Sequence, residues 1–216
     1  MATQRARSAE AKDQRRADLI AAASRLFADA DFDAITIARV AEVAGMAKGT
    51  AYLYFATKET LFLELVRAEL TTWLADFIQS INRQRAANPA VAVPRALAKS
   101  FANHPQVRRL LVLQHTVLEP KLGDAAARGF KLHMRELMDE ACAVIAPKIP
   151  GWQLEDAQVF VMQTIALVIS VTQLSEPSPV IARVLASDPR LRPMCIDFEP
   201  FLARTLTTLV RGTITK

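Results

Sequence analysis

Residues Ile35 to Phe62 read ITIARVAEVAGMAKGTAYLYFATKETLF, and this stretch decides the fold. Thr36 stands just before Ile37-Ala38-Arg39-Val40-Ala41-Glu42-Val43, where its hydroxyl suits a helix N-cap. Arg39 takes the third helical position, so no capping box forms. That helix is short and stops at Ala44-Gly45, because glycine adopts the left-handed backbone that ends a helix. A second short helix is predicted from about Lys48 to Phe55. Ala56-Thr57-Lys58 is a brief break. A long helix then runs from Glu59 to about Arg85, with Leu61, Phe62, Leu65, Val66, Trp73, Phe77 and Ile81 as its apolar positions.

Upstream, Leu19, Ala22, Ala23, Leu26, Phe27 and Ala30 repeat at the spacing of one buried helical face. Residues 1–16 read as a polar arm carrying Arg5, Arg7, Lys12, Arg15 and Arg16. Asp29, Asp31 and Asp33 form a solvated turn. A calcium loop starting there would need Gly and Glu where Ala34 and Val40 stand. Downstream the periodicity predicts helices over 91–103, 105–118, 121–146, 153–175, 178–187 and 197–213, broken mostly at prolines. No alternating strand pattern and no fixed-period repeat competes. The fold class is all-α: a three-helix N-terminal unit and a larger helical body.

Composition narrows the function classes. The 216 residues are 51% hydrophobic and 23% charged, with 6 Gly. That is too apolar for a disordered chain and too poor in glycine for a collagen-like one. Cys142 and Cys195 sit in no CxxC or Cys/His cluster, so they read as two buried thiols of a reducing cytoplasm. No secretory signal is visible. The most apolar run, Val159 to Leu174, is interrupted by Gln, Ser and Thr, and it is shorter than the roughly 20 residues a bilayer span needs. A soluble cytoplasmic protein, with no membrane partner, is expected. The net charge of +5 permits an anionic partner. His104, His115 and His133 lack the i, i+4 spacing of a metal site. Glu119 with His115 is an acid/base pair without a nucleophile or metal beside it. Neither enzyme, metal site nor cofactor is expected.

The chemistry concentrates in the opening segment. Two short helices meeting at a tight glycine turn, with another helix behind them, present the second helix to the major groove of a duplex. Ala41 is small where the helices cross, and Val40, Val43 and Phe55 fill a miniature core. Lys48, Thr50, Tyr52 and Tyr54 then face outward. Lys48 carries charge, and Gly49 lets the backbone approach a phosphate or base edge. Thr50 offers a hydroxyl and a methyl to a base edge. The tyrosines offer phenolic donors, and Thr36 and Lys58 bracket the unit within reach of phosphates. Residues 1–60 hold nine Lys/Arg and eight Asp/Glu, so the face must be basic by arrangement.

The order Thr36, Val40, Ala41, Ala44, Gly45, Lys48, Gly49, Thr50, Tyr52, Tyr54, Phe55, Lys58, Glu59, Leu61 resembles the DNA-binding signature of the TetR/AcrR family of bacterial one-component regulators. In that family Thr-x-x-x-(Val/Ile)-Ala, Ala-Gly-Val-Ser-Lys-Gly-Thr-x-Tyr-x-Tyr-Phe and Lys-Glu-x-Leu recur. Ala47 departs from the common Ser or Thr cap, Ala51 from a larger apolar residue, and Met46 stands at a variable position. The resemblance implies a helix-turn-helix domain over 14–74, with the motif at about 37–56, and a helical ligand-binding and dimerisation domain over 75–216. It implies a homodimeric repressor on a near-palindromic operator in double-stranded DNA. Dimerisation is expected through 153–175 and 197–213, using Ile165, Leu167, Val168, Val171 and Leu174 with Phe201, Leu202, Thr205, Leu206, Leu209 and Val210.

It further implies release by a small molecule held among the central helices. Candidate pocket residues are Trp73, Phe77, Phe101, Leu110, Gln114, Val117, Phe130, Met134, Met138, Met162 and Gln163, and their Phe and Met content suits an apolar or aromatic effector. An activator of the same fold and a helical protein-binding adaptor are the alternative readings.

Overall fold

The structure is a computed structural model that describes residues 2–83 and 88–214, with side chains described over 10–83 and 88–213. Ten α-helices and no strand occur among the described residues: α1 Ala2–Asp29, α2 Ile37–Val43, α3 Lys48–Tyr54, α4 Lys58–Arg83, α5 Pro89–Ala102, α6 Pro105–Leu113, α7 Asp124–Ile145, α8 Leu154–Ser175, α9 Pro179–Ser187 and α10 Phe198–Ile214. The chain is all-α, as its periodicities predict. By packing it divides into two units, Met1–Ala68 with Gln114–Ala127, and Glu69–Leu113 with Arg128–Lys216. The division expected along the chain, 14–74 and 75–216, is contiguous; the packing division cuts inside α4 and α7 and gives 114–127 to the first unit.

One sequence expectation changes at the start of α1. Residues 2–16 do not form a separate polar arm: α1 is already helical from Ala2. They lack an apolar stripe, yet Ala, Arg, Gln, Glu and Lys are strong helix formers and prolong the helix that Leu19 to Phe27 anchor. The side chains of Arg5 and Arg7 lie outside the described residues, and so does the expected end of α4 at Arg85.

The first unit is built around three phenylalanines. Phe62 of α4 meets Phe27 of α1 edge-on at 5.4 Å and Phe32 at 4.8 Å. Such pairs add about 0.5–1.5 kcal/mol each beyond the area they bury. Leu19, Ala22, Ala23, Ile35, Leu61, Leu65 and Val66 complete the core. Arg16 crosses from α1 to Glu64 at 3.0 Å, with its guanidinium over Phe55. Segment 114–127 joins through Leu118, fully buried, and through Lys121, whose Nζ donates to Glu59 Oε1 at 2.8 Å. The hydrogen bond from Lys121 holds the Glu59 carboxyl below the ordinary carboxylate range. The predicted helix 105–118 is α-helical only to Leu113; Gln114–Leu118 forms a π-helical stretch, and α7 starts at Asp124 rather than 121. Gln114 Nε2 donates to Glu119 Oε1 at 2.8 Å, while its buried Oε1 has no partner among the described residues.

In the second unit α10 packs on α5 and α8, and α6 on α8. The core holds Leu74, Phe77 and Ile81, Val93, Leu97 and Phe101, Phe160, Val168 and Val171, and Leu202, Leu206 and Val210. Val168, Val171, Leu202, Leu206 and Val210, expected at a subunit interface, are therefore spent inside the protomer. A helix apolar nearly all round does not announce which face turns inward. Along its middle and end α8 leaves exposed the stripe Val159, Met162, Gln163, Ala166, Ser170, Gln173 and Leu174. With 22 residues, α8 is long and apolar enough to cross a membrane on those two criteria alone. Ala157, Phe160, Val161, Thr164, Val168, Val171 and Thr172 pack within the unit, which marks it as a core helix. Cys142 is buried, and burial pushes its thiol up. Cys195 is exposed, contrary to the expectation of two buried thiols, because it follows the short turn Pro189–Met194, which buries nothing.

Candidate nucleic-acid interface

The helix-turn-helix forms from local rules obeyed in order. Thr36 is extended, and its Oγ1 accepts from the Arg39 amide at 3.2 Å, capping α2. Ile37, Val40 and Ala41 turn inward. Gly45 ends the helix at φ +67°. The Met46 amide donates to the Ala41 carbonyl at 2.8 Å and the Gly45 amide to that of Glu42 at 3.0 Å, the paired bonds of a Schellman stop. Thr57 caps α4: its Oγ1 accepts from the Thr60 amide at 3.1 Å, and Thr60 Oγ1 accepts from the Thr57 amide at 3.3 Å.

Between these well-ended helices, α3 breaks the rules. Its N-cap, Ala47, has no side-chain acceptor, which forgoes about 1 kcal/mol relative to Ser. Lys48 puts a cation at the positive end of the helix dipole. Gly49 costs about 1 kcal/mol relative to Ala in a helix, and a Cβ there would meet nothing within 4 Å. Only Ala51 is buried. Among the described residues, Lys48 has no ion pair and Gly49 no close neighbour that requires these choices.

The outward face of α3 is Lys48, Gly49, Tyr52 and Leu53, set at i, i+4 and i+1, i+5. Lys48 is exposed and makes no ion pair among the described residues. Tyr52 is 45% and Leu53 83% exposed. Thr50 and Tyr54 stand half-buried at the edges of that face. Both tyrosines of the chain are on this one helix. Leu53 is absent from the expected set. Its signal is nonetheless present in the sequence: it stands 200° round the helix from Ala51, the residue that must face the core.

Lys58 is not brought to the same face as a free cation. Its Nζ donates to the Phe32 carbonyl at 2.7 Å and sits 3.9 Å from the Phe32 ring centroid. Thr36 is exposed, with its hydroxyl proton left over after capping. Nearby positive charge is largely compensated, since Arg39 pairs with Glu42 at 2.6 Å and Arg16 with Glu64.

Some of the expected effector residues come together within the second unit. Trp73, Phe77 and Phe101 do come together: Trp73 stacks on Phe101 at 4.2 Å and on Phe77 at 5.8 Å. Trp73 Nε1 is buried without a hydrogen-bond partner among the described residues. Leu110 and Phe130 are buried in the same unit, and Met134 and Met138 are half-buried. Gln114 and Val117 fall in the first unit. Met162, 56% exposed, and Gln163 lie on the outer stripe of α8 and line no interior.

Similarity to known proteins speaks to the family and the fold. Residues 19–65 match the family described as bacterial regulatory proteins, tetR family, and residues 67–216 match the tetracyclin repressor-like C-terminal domain. The HTH-type transcriptional regulator RutR of Escherichia coli is 28% identical over 137 residues, spanning 62% of this chain and 59% of that protein's own length. A transcriptional regulator from Cytophaga hutchinsonii superposes with a TM-score of 0.59 at 17% identity, covering 90% of this chain and 95% of that one. The transcriptional regulator FadR of Bacillus subtilis, solved with stearoyl-CoA, gives 0.57 at 14% identity over 89% and 96%. At these identities the two solved structures speak for the fold.

Proposed function

This chain belongs to the tetR family of bacterial regulatory proteins and is a DNA-binding transcriptional regulator; from that premise we propose that it is a homodimeric repressor, released from a near-palindromic operator by a small apolar or aromatic effector. The observation that carries the reading is the first turn of α3. An uncapped start, a cation at the wrong pole and an unneeded glycine are unfavourable alone and favourable against a phosphate backbone. Lys48 pairs with a phosphate, and Gly49 admits the backbone to the groove floor. Tyr52 and Leu53 face base edges, where Leu53 suits a thymine methyl. Thr36, Thr50 and Tyr54 donate hydroxyls to flanking phosphates. Lys58 acts from behind, tying the start of α4 to Phe32, and meets a phosphate only by giving up that carbonyl.

Two copies place two such helices on half-sites about one helical turn apart. The exposed stripe of α8, with half-exposed Phe201, Thr205 and Leu209 of α10, is the face we assign to the dimer. The effector site is the Trp73, Phe77 and Phe101 stack, where an acceptor atom on the ligand satisfies Trp73 Nε1. The effector shifts the regulator only as far as its affinities for the DNA-bound and free conformers differ. A regulator of this kind works in the cytoplasm, where the chromosome lies.

Gel retardation with the DNA upstream of its own gene tests the proposal. A band that survives excess unrelated duplex and disappears in Lys48→Ala and Tyr52→Ala supports it. Retardation that unrelated duplex removes equally well defeats it.

A further inference from the structure

Several arginines of the chain pair with carboxylates. Arg16 meets Glu64, Arg39 Glu42, Arg108 Glu176, Arg135 Asp139 and Arg190 Asp188. A groove of about 960 Å³ runs between α5 and α10, lined by Arg95, Lys99, Arg204 and Arg211 against a single carboxylate, Glu199. These residues alone carry three of the five net positive charges of the chain. Arg95 and Lys99 make no ion pair among the described residues, and Arg204 lies 5.8 Å from the Phe201 ring rather than on a carboxylate. Like charges gathered along one groove raise its potential and draw in a counter-ion.

The spacing selects the ligand. Arg95 and Lys99 are one turn apart on α5, about 6 Å along the axis, and Arg204 and Arg211 two turns apart on α10, about 10 Å. A single carboxylate or monophosphate offers one anionic group to the cations of two walls. Two linked phosphoryl groups engage both, each offering the oxygen geometry that a guanidinium fork grips with two bonds. Between the walls the floor is Ala96, Ala203 and Thr207, small enough to leave the width of the groove open. Its volume is at the upper end of the roughly 300–1,000 Å³ of small-molecule sites, room for more than the phosphates.

We propose that the α5–α10 groove binds a diphosphate group, free or carried on a nucleoside, at a site separate from the aromatic stack. Arg95 and Lys99 lie on the solvent side of α5 while Phe101 lies on its buried side, so the two sites do not share side chains.

Isothermal titration of the full chain at low ionic strength, with ADP, inorganic pyrophosphate and adenosine as probes, tests this. ADP and pyrophosphate should bind and adenosine should not. In the double variant Arg95→Ala/Arg204→Ala the affinity for ADP should fall at least about tenfold, the effect of losing one charge-assisted hydrogen bond. Unchanged helical circular dichroism would show the variant folded, and Lys48→Ala should bind ADP as the parent does. ADP binding tighter than pyrophosphate identifies the nucleoside-borne source, and equal binding the free one. The proposal is overturned by no binding of either diphosphate, by equal ADP affinity in the double variant, or by a weakening in Lys48→Ala that matches it. A double variant that no longer holds unrelated duplex DNA but keeps ADP also overturns it, in favour of a nucleic-acid track.

Discussion

Two helices of seven residues each stand four residues apart, and they are made in opposite ways. α2 begins on a threonine cap, buries Ile37, Val40 and Ala41, and ends on a glycine stop with both of its bonds in place. α3 begins on an alanine, carries a lysine and a glycine in its first turn, and buries Ala51 alone. Tertiary packing usually makes up for weak local signals, yet here the weaker helix also packs less. The difference teaches that α2 is built to stabilise the unit and α3 is not. α2 holds the unit together, and α3 is held by it and offered outward.

Mutations can break that comparison, beginning with the largest effect. Ile37→Ala should cost about 2–5 kcal/mol, as other large-to-small core changes do, and denaturant unfolding reads it. A cost under about 0.5 kcal/mol would mean that α2 is not the anchor. Gly45→Ala forces a Cβ into the left-handed region and should cost about 1–2 kcal/mol, seen as a lower unfolding midpoint. Gly49→Ala sharpens the contrast, because its two effects have opposite signs. It should stabilise the fold by up to about 1 kcal/mol while weakening operator binding. If affinity rises with stability, the glycine is not there for DNA. Lys48→Ala should leave stability nearly unchanged and flatten the plot of log affinity against log salt by about one unit for each phosphate left unneutralised. Titration across a salt series measures it.

The smallest effect is one of pH. The Glu59 carboxyl titrates below its ordinary range because Lys121 donates to it. Its contribution is therefore present above the unfolded carboxylate value and disappears as pH falls through the lower folded one. Lys121→Ala should remove that acid-side weakening, and melting curves between neutral and acid pH would show the parent and the variant converging at low pH.

Features governed by neighbours in sequence could be read directly. The Thr36 cap, the Gly45 stop and the break before α4 each depend on three or four consecutive residues, and the chain shows them where the rules put them. Faces that depend on distant partners could not be read. Val168 and Met162 are both apolar on one helix, and only the packing of α10 and α6 decides that the first is core and the second surface. Lys58 was equally illegible: a lysine beside a signature motif suggests a phosphate, and nothing near it in sequence reveals the Phe32 carbonyl 26 residues upstream. The candidate effector residues suffered most, since Phe, Met and Gln at helical spacing carry no address.

The return of residues 114–127 to the first unit limits how this regulator can be cut and recombined. A chimera grafting residues 1–74 onto a foreign body would import α3 without Leu118, which is fully buried, and without the lysine that donates to Glu59. Such hybrids inherit an exposed hollow, and a graft that carries both strips of sequence is the one suited to being transplanted.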